Sequence, residues 1–224
     1  MMDRMKVVIF GASGMVGQGV LRECLADADI EQVLCVVRQA IGQRDAKLRE
    51  LVLTDFLDFT AVEAELSGYD ACFFCLGVSS AGMTEAQYKH ATYDITIAAA
   101  TTLARLNPGM VFEYVSGMGT DSSEKGRIMW ARVKGRTENA LLALPFKSAY
   151  MFRAGFIQPL HGIKSKTRFY RLFYAVTMPL LPVLRAFFPH QVTTTEELGR
   201  AMIRVAKKGY GKNVLEMRDI NNND

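Results

Sequence analysis

Three histidines are all the chain has, at positions 90, 161 and 190, and they stand too far apart to show the spacing of a metal site. Cysteine is almost as sparse. The four, Cys24, Cys35, Cys72 and Cys75, fall inside apolar stretches, so they read as reduced core residues and not as a disulfide framework. Cys72 and Cys75 have the spacing of a redox or metal motif, but residues three apart in a strand face opposite sides of a sheet, and redox pairs of this kind open helices. The start of the chain, running from Met1 straight into an apolar strand, lacks the charged leader and cleavage site of a signal peptide, so a cytoplasmic protein is expected. Excess charge is also small. With 27 Lys and Arg against 23 Asp and Glu, the net charge of +4 suits an anionic small ligand, and the scatter of the basic residues speaks against a nucleic-acid surface.

What the chain does have is a strand followed by a glycine-rich turn. Lys6 to Phe10 are mostly β-branched or aromatic, and glycines at 11, 14 and 17 then open a helix with Val16, Val20 and Cys24 on one face. The spacing fits anion binding. Gly11 permits a sharp turn, Gly14 removes a side chain where backbone must approach a pyrophosphate, and Gly17 allows close packing of the helix on the strand. A second strand, Gln32 to Val37, follows at the distance a βαβ unit requires, and it ends at Arg38. An acidic residue at that point favours a free ribose 2′-hydroxyl, whereas arginine accommodates a 2′-phosphate, so the expected cofactor is NADP(H).

The same alternation continues to the end of the sheet. Expected strands are Leu51 to Leu53, leading to Asp55 and Phe56; Ala71 to Leu76, closed by Gly77; Met110 to Val115, leading to Ser116; Ser148 to Phe152; and Asn213 to Met217. Helices are expected over 60–66, 84–106, 128–144 and, from a capping box at Thr194 to Glu197, up to about Lys207 with Gly209 as the stop. This pattern predicts one α/β domain over 1–224 with a doubly wound parallel sheet. In the region 156–195 the pattern changes. Thirteen mostly apolar residues between Arg171 and Arg185, broken by Pro179 and Pro182, are too few to cross a bilayer. They suit short helices capping the substrate side of the sheet, a peripheral membrane contact or a dimer contact, so both monomer and homodimer stay open.

On these residues the chain resembles the atypical, extended short-chain dehydrogenase/reductases, in particular a small branch of Tat-interacting-protein-like reductases and proteins described as nucleoside-diphosphate-sugar epimerases. The likeness rests on the Gly11, Gly14 and Gly17 spacing, Arg38, the Asp55-Phe56 pair, Leu76-Gly77, Ser116, Lys134 and Arg153-Ala154-Gly155, and it covers nearly the whole chain. It implies a Rossmann fold with the cofactor held by Gly11, Ser13, Gly14, Met15, Val16, Gly17, Arg38, Asp55, Phe56, Leu76, Gly77 and Lys134. It also implies chemistry at Ser116, Lys134 and a tyrosine four residues before that lysine, a tyrosine that Trp130 replaces here. An indole N–H donates a hydrogen bond but does not exchange a proton near neutral pH. The family's serine pair reads Ser116-Gly117. Two functions are therefore expected to compete: an NADPH-dependent oxidoreductase or epimerase-like enzyme in which Ser116, Lys134 or a water supplies the proton to an unknown small substrate, and a non-catalytic NADPH sensor or scaffold.

Overall fold

A computed structural model describes residues 4–163 and 191–222. The expected apolar cap over 168–189 and His190 lie outside the described residues.

Seven strands form one sheet in the order β3-β2-β1-β4-β5-β6-β9, every neighbour parallel. The strands are β1 (Met5–Phe10), β2 (Ile30–Val37), β3 (Leu48–Val52), β4 (Ala71–Phe74), β5 (Val111–Gly117), β6 (Ser148–Ala154) and, near the chain's end, β9 (Val214–Leu215). The chain starts at the centre, winds outward through β2 and β3, then returns across β1 to build β4, β5 and β6. That reversal between β1 and β4 leaves a crevice at the strands' carboxyl ends, where doubly wound sheets bind ligands. Ile9 of β1 lies in register between Cys35 of β2 and Phe73 of β4, and the central strands are buried on both faces. This is the expected Rossmann-like α/β architecture.

Among the described residues, two helices cover one face of the sheet. Helix α1 (Met15–Ala26) packs on α5 (Thr195–Lys208) through glycines: a Cβ at Gly19 would lie 2.5 Å from the Thr195 Cβ, and one at Gly199 would lie 2.9 Å from the Glu23 Cγ. The capping box holds as expected, with Thr194 Oγ1 accepting from the Glu197 N–H at 2.9 Å and the Glu197 carboxylate accepting from the Thr194 N–H at 2.8 Å. Gly209, at φ +73°, ends the helix. The opposite face carries α2 (Glu85–Lys89), α3 (Ile95–Leu106) and α4 (Met129–Leu142), with Ala100, Leu103 and Leu141 packed on Phe74 and Phe112. A π-helical turn, His90–Asp94, joins α2 to α3 where one regular helix was expected; Tyr93 in it receives both Lys89 and Arg136 on its ring, at 5.1 and 4.9 Å.

Three expected elements change. Residues 60–66 form only one 3-10 turn, Thr60–Val62, and the bonds that follow keep its spacing: the N–H groups of Glu65 and Leu66 donate to the carbonyls of Val62 and Glu63, three residues back and not four. β3 begins at Leu48, earlier than the apolar residues suggest, since an edge strand paired on one side tolerates Arg49 and Glu50. The last strand is cut to Val214–Leu215 by α6 (Met217–Ile220), whose start is fixed by the Glu216 N–H donating to Asp219 at 2.8 Å. Beyond β6, β7 (Phe156–Gln158) and β8 (Val192–Thr194) pair in parallel as a small second sheet. No helix among the described residues is long and apolar enough to cross a membrane.

Candidate functional site

The glycine turn is held by backbone. Gly11 has φ +80°, a left-handed conformation, and a Cβ on it would stand 2.6 Å from the Leu76 nitrogen; one on Gly17 would stand 2.1 Å from the Gly11 carbonyl oxygen. Gly17 thus packs the helix onto the turn itself. Gly14 is the residue before α1, donating its N–H to the Gly11 carbonyl at 2.9 Å; among the described residues no side chain caps the helix, and its first turn carries no carboxylate. The first N–H groups of α1 therefore face the crevice with the positive end of the helix dipole. A Cβ at Gly14 would meet only the Gly11 oxygen, at 3.3 Å, and otherwise stand in open space.

Two cavities open along this edge, of about 630 Å³ and about 530 Å³. Both are lined by Gly11, Ser13, Arg38 and Leu76, so they are lobes of one cleft. The larger lobe adds Phe56, which packs edge-on against Phe10 with ring centroids 6.1 Å apart, together with Gln18 and Ile41. The smaller lobe runs past Gly14, Met15, Val16 and Gly77 to Ser116. Among the described residues no carboxylate pairs with Arg38, which is exposed at the junction. Asp55 stands apart: it is exposed, its carboxylate accepts from the Leu57 N–H at 2.8 Å, and it lines neither lobe. Sequence reasoning missed Gln18, Ile41, Ser79 and Ile157 as lining residues; Gln18 is on the first turn of α1, Ile41 and Ser79 are in the loops that follow β2 and β4, and Ile157 comes from beyond β6.

At the far end, side chains from separate elements meet. The Ser116 hydroxyl is 3.0 Å from that of Thr120, which in turn donates to the Gly117 carbonyl at 2.7 Å. Trp130, half-buried, lies over the same turn: Cβ atoms on Gly117 and Gly119 would sit 3.8 and 3.6 Å from its indole. Lys134 Nζ is 3.4 Å from the hydroxyl of Tyr114, a residue of β5, and 5.0 Å from that ring's centroid. Desolvation lowers the Lys134 pKa to about 8, with the Glu138 carboxylate opposing the shift. Burial pushes the Tyr114 hydroxyl well above its usual range. Lysine thus has a tyrosine neighbour, supplied across the sheet-helix interface and not from its own helix, which a search for fixed spacing could not find. Neither Trp130 nor Lys134 lines the two lobes.

Arg153 organises this end from behind. Its guanidinium holds the buried Glu138 at 2.6 Å and also bonds the Ser122 hydroxyl at 2.5 Å and Glu216 at 3.3 Å, which fixes the end of β6 where Ala154 and Gly155 line the cleft. On the other face of β5, Glu113 is fully buried and neither carboxylate oxygen has a hydrogen-bond partner among the described residues. Burial raises its pKa well above the usual value, favouring the neutral carboxyl over the carboxylate. The free cysteines divide as strand geometry predicts, Cys72 in the core on one face and Cys75 against the core on the other.

A family model described as NAD(P)H-binding matches residues 11–141. Among curated proteins, the protein FMP52, mitochondrial, of Eremothecium gossypii is 30% identical over 153 residues, covering 67% of this chain and 66% of its own length. The fmp52 protein, mitochondrial, of Emericella nidulans is 28% identical over 158 residues with the same coverage. The matching stretch therefore spans just under two thirds of these relatives. Their names overturn the expectation of a cytoplasmic location, which rested only on the character of the first residues. Among solved structures, the Bordetella bronchiseptica enzyme WbmF in complex with NAD+ superposes with a TM-score of 0.68 at 14% identity, covering 98% of this chain and 77% of that one. A short chain dehydrogenase family protein from Francisella tularensis gives 0.66 at 15% identity, covering 92% of each. At these identities the structures establish likeness of fold.

Proposed function

The chain belongs to the NAD(P)H-binding family, and from that premise we propose that it is an NADP(H)-linked oxidoreductase of the short-chain dehydrogenase kind with a rearranged proton-handling end. The observation that carries this reading is the two-lobed cleft, whose halves meet at Gly11, Ser13, Arg38 and Leu76 and leave room for one half of a dinucleotide on each side. The uncapped start of α1 takes the pyrophosphate, and the open space above Gly14 is where it lies. Phe56 and Ile41 flank the adenosine, and Arg38 pairs with a ribose 2′-phosphate. We place the chain beside the small Tat-interacting-protein-like reductases, with Trp130 at the position of their tyrosine, and read 1–224 as one domain.

Bound there, a nicotinamide supplies the hydride donor or acceptor. The chain's own residues manage the proton. Lys134, with a pKa of about 8, carries an ammonium at neutral pH and is close enough to titration to give up one proton, through water, toward the cleft, leaving the neutral amine. Tyr114 holds that amine, and Trp130 covers the Gly117 to Gly119 turn instead of exchanging protons. A second reading, a sensor that binds NADPH without chemistry, is favoured by the placing of Lys134 outside both lobes. Single-turnover NADPH oxidation across a panel of carbonyl compounds separates the two. The enzyme reading expects turnover by wild type and by Trp130→Phe, with Lys134→Met slower by about a hundredfold. Tight NADPH binding with no oxidation by wild type supports the sensor.

A further inference from the structure

We infer that Ser116 meets its ligand as a hydrogen-bond acceptor, that Thr120 is the residue that positions its proton, and that the group it accepts from is the carboxamide N–H of a nicotinamide. The inference deepens the proposed cofactor reading and rests on it. Its physical basis is a count of hydrogens. The Thr120 hydroxyl oxygen lies 2.7 Å from the Gly117 carbonyl oxygen. A carbonyl has no proton, and two acceptor oxygens at that distance repel, so the Thr120 hydrogen lies between them. Thr120 has no second hydrogen on that oxygen. The 3.0 Å contact between the two hydroxyls must then use the hydrogen of Ser116.

With its proton committed inward, Ser116 turns its lone pairs outward. The residue is 6% exposed, and that small opening faces the smaller lobe, where Val115, Ala154 and Ile157 give apolar walls. A group approaching Ser116 there must bring a hydrogen. The nicotinamide ring has one such group, the amino half of its carboxamide. This reverses the role first expected of Ser116: a hydroxyl already donating to Thr120 does not hand a proton to a substrate oxygen. Thr120 acts through Ser116 and so is a positioning residue.

The test compares two dinucleotides that differ at this group alone, NADP+ and its 3-acetylpyridine analogue, in which a methyl replaces the amide nitrogen. Dissociation constants are measured by calorimetry for wild type, Ser116→Ala, Thr120→Val and Thr120→Ser, with circular dichroism to establish that each is folded. Wild type should prefer the carboxamide by about three- to tenfold, the range of one neutral hydrogen bond. Thr120→Val, which frees the Ser116 proton, and Ser116→Ala, which removes the acceptor, should both bring the ratio near one. Thr120→Ser should restore it. Equal affinities in wild type, or an unchanged ratio in folded Thr120→Val, would overturn the inference while leaving the cofactor reading intact; failure of both dinucleotides to bind wild type would overturn both.

Discussion

At the Gly11 end the cleft is shaped by glycine backbone, whereas at the Ser116 end side chains from β5, α4 and the turn between them meet beside the cleft, so the two ends should fail in different ways. Backbone sites depend on what is absent: no Cβ at Gly11, Gly14 or Gly17, no cap on α1. Side-chain sites depend on partners that must all be present, as in the chain of contacts from Ser116 to Thr120 to Gly117, or from Lys134 to Tyr114. A substitution in the first kind of site blocks space. In the second it leaves a polar group without its counterpart.

The largest effect expected is at Gly17, where an alanine Cβ would be driven to 2.1 Å from the Gly11 oxygen. Backbone cannot rotate away as a flexible side chain would, so Gly17→Ala should cost about 4 kcal/mol in urea unfolding, at the upper end for single substitutions. Gly14→Val, by contrast, should keep the fold and lose dinucleotide affinity by about a hundredfold, because the added atoms enter the ligand's space. Equal loss of fold in both variants would erase the distinction between packing and binding glycines.

Next in size is Arg153. Removing the guanidinium leaves the Glu138 carboxylate, 1% exposed, without its main partner, so Arg153→Met should destabilise by about 3 kcal/mol. A loss below about 1 kcal/mol in urea unfolding would mean that the end of β6 is fixed by other contacts. Glu113 should respond in the opposite direction. Burial favours its neutral carboxyl, while in the unfolded chain a Glu ionises near pH 4.3, about the model-peptide value. The folded state therefore binds a proton that the unfolded state gives up, and stability falls as pH rises above about 4. Glu113→Met should raise stability at pH 8 by about 2 kcal/mol and flatten the pH dependence. Unfolding curves at pH 5 and 8 check both.

The smallest effect concerns Lys134. A proton supplied by its ammonium is available below its pKa of about 8 and lost above it. The rate of NADPH oxidation should thus hold steady through neutral pH and fall about tenfold for each unit beyond the pKa. A rate that stays flat to pH 10 would move the proton source away from Lys134.

The contrast between the two ends also explains what could be read in the sequence. Gly11, Gly14 and Gly17 belong to one continuous segment, where spacing along the chain is spacing in the fold, and strand-helix alternation, the Thr194 capping box and the Gly209 stop are local in the same sense. Arg38 directly follows β2 and lines the cleft, a position legible in the sequence because strand ends form the crevice. The pairing of Lys134 with Tyr114 joins residues twenty apart across a packing interface, and no spacing rule reports it. Trp130 and Gly117, two separate departures in the sequence, prove to be one packing unit, the indole lying on the glycine turn. The π-helical turn and the early start of β3 depend on tertiary pairing that propensity does not register.

Calorimetric titration of NADPH and NADH into wild type and Arg38→Ala is the most direct check on the proposal that the cleft holds a nicotinamide dinucleotide with its phosphorylated ribose at Arg38. Wild type should bind NADPH about tenfold or more tightly than NADH, as a charge-assisted phosphate contact provides, and Arg38→Ala should bring the two affinities together by weakening NADPH alone. Equal affinities in wild type, or an unchanged preference in Arg38→Ala, would contradict it.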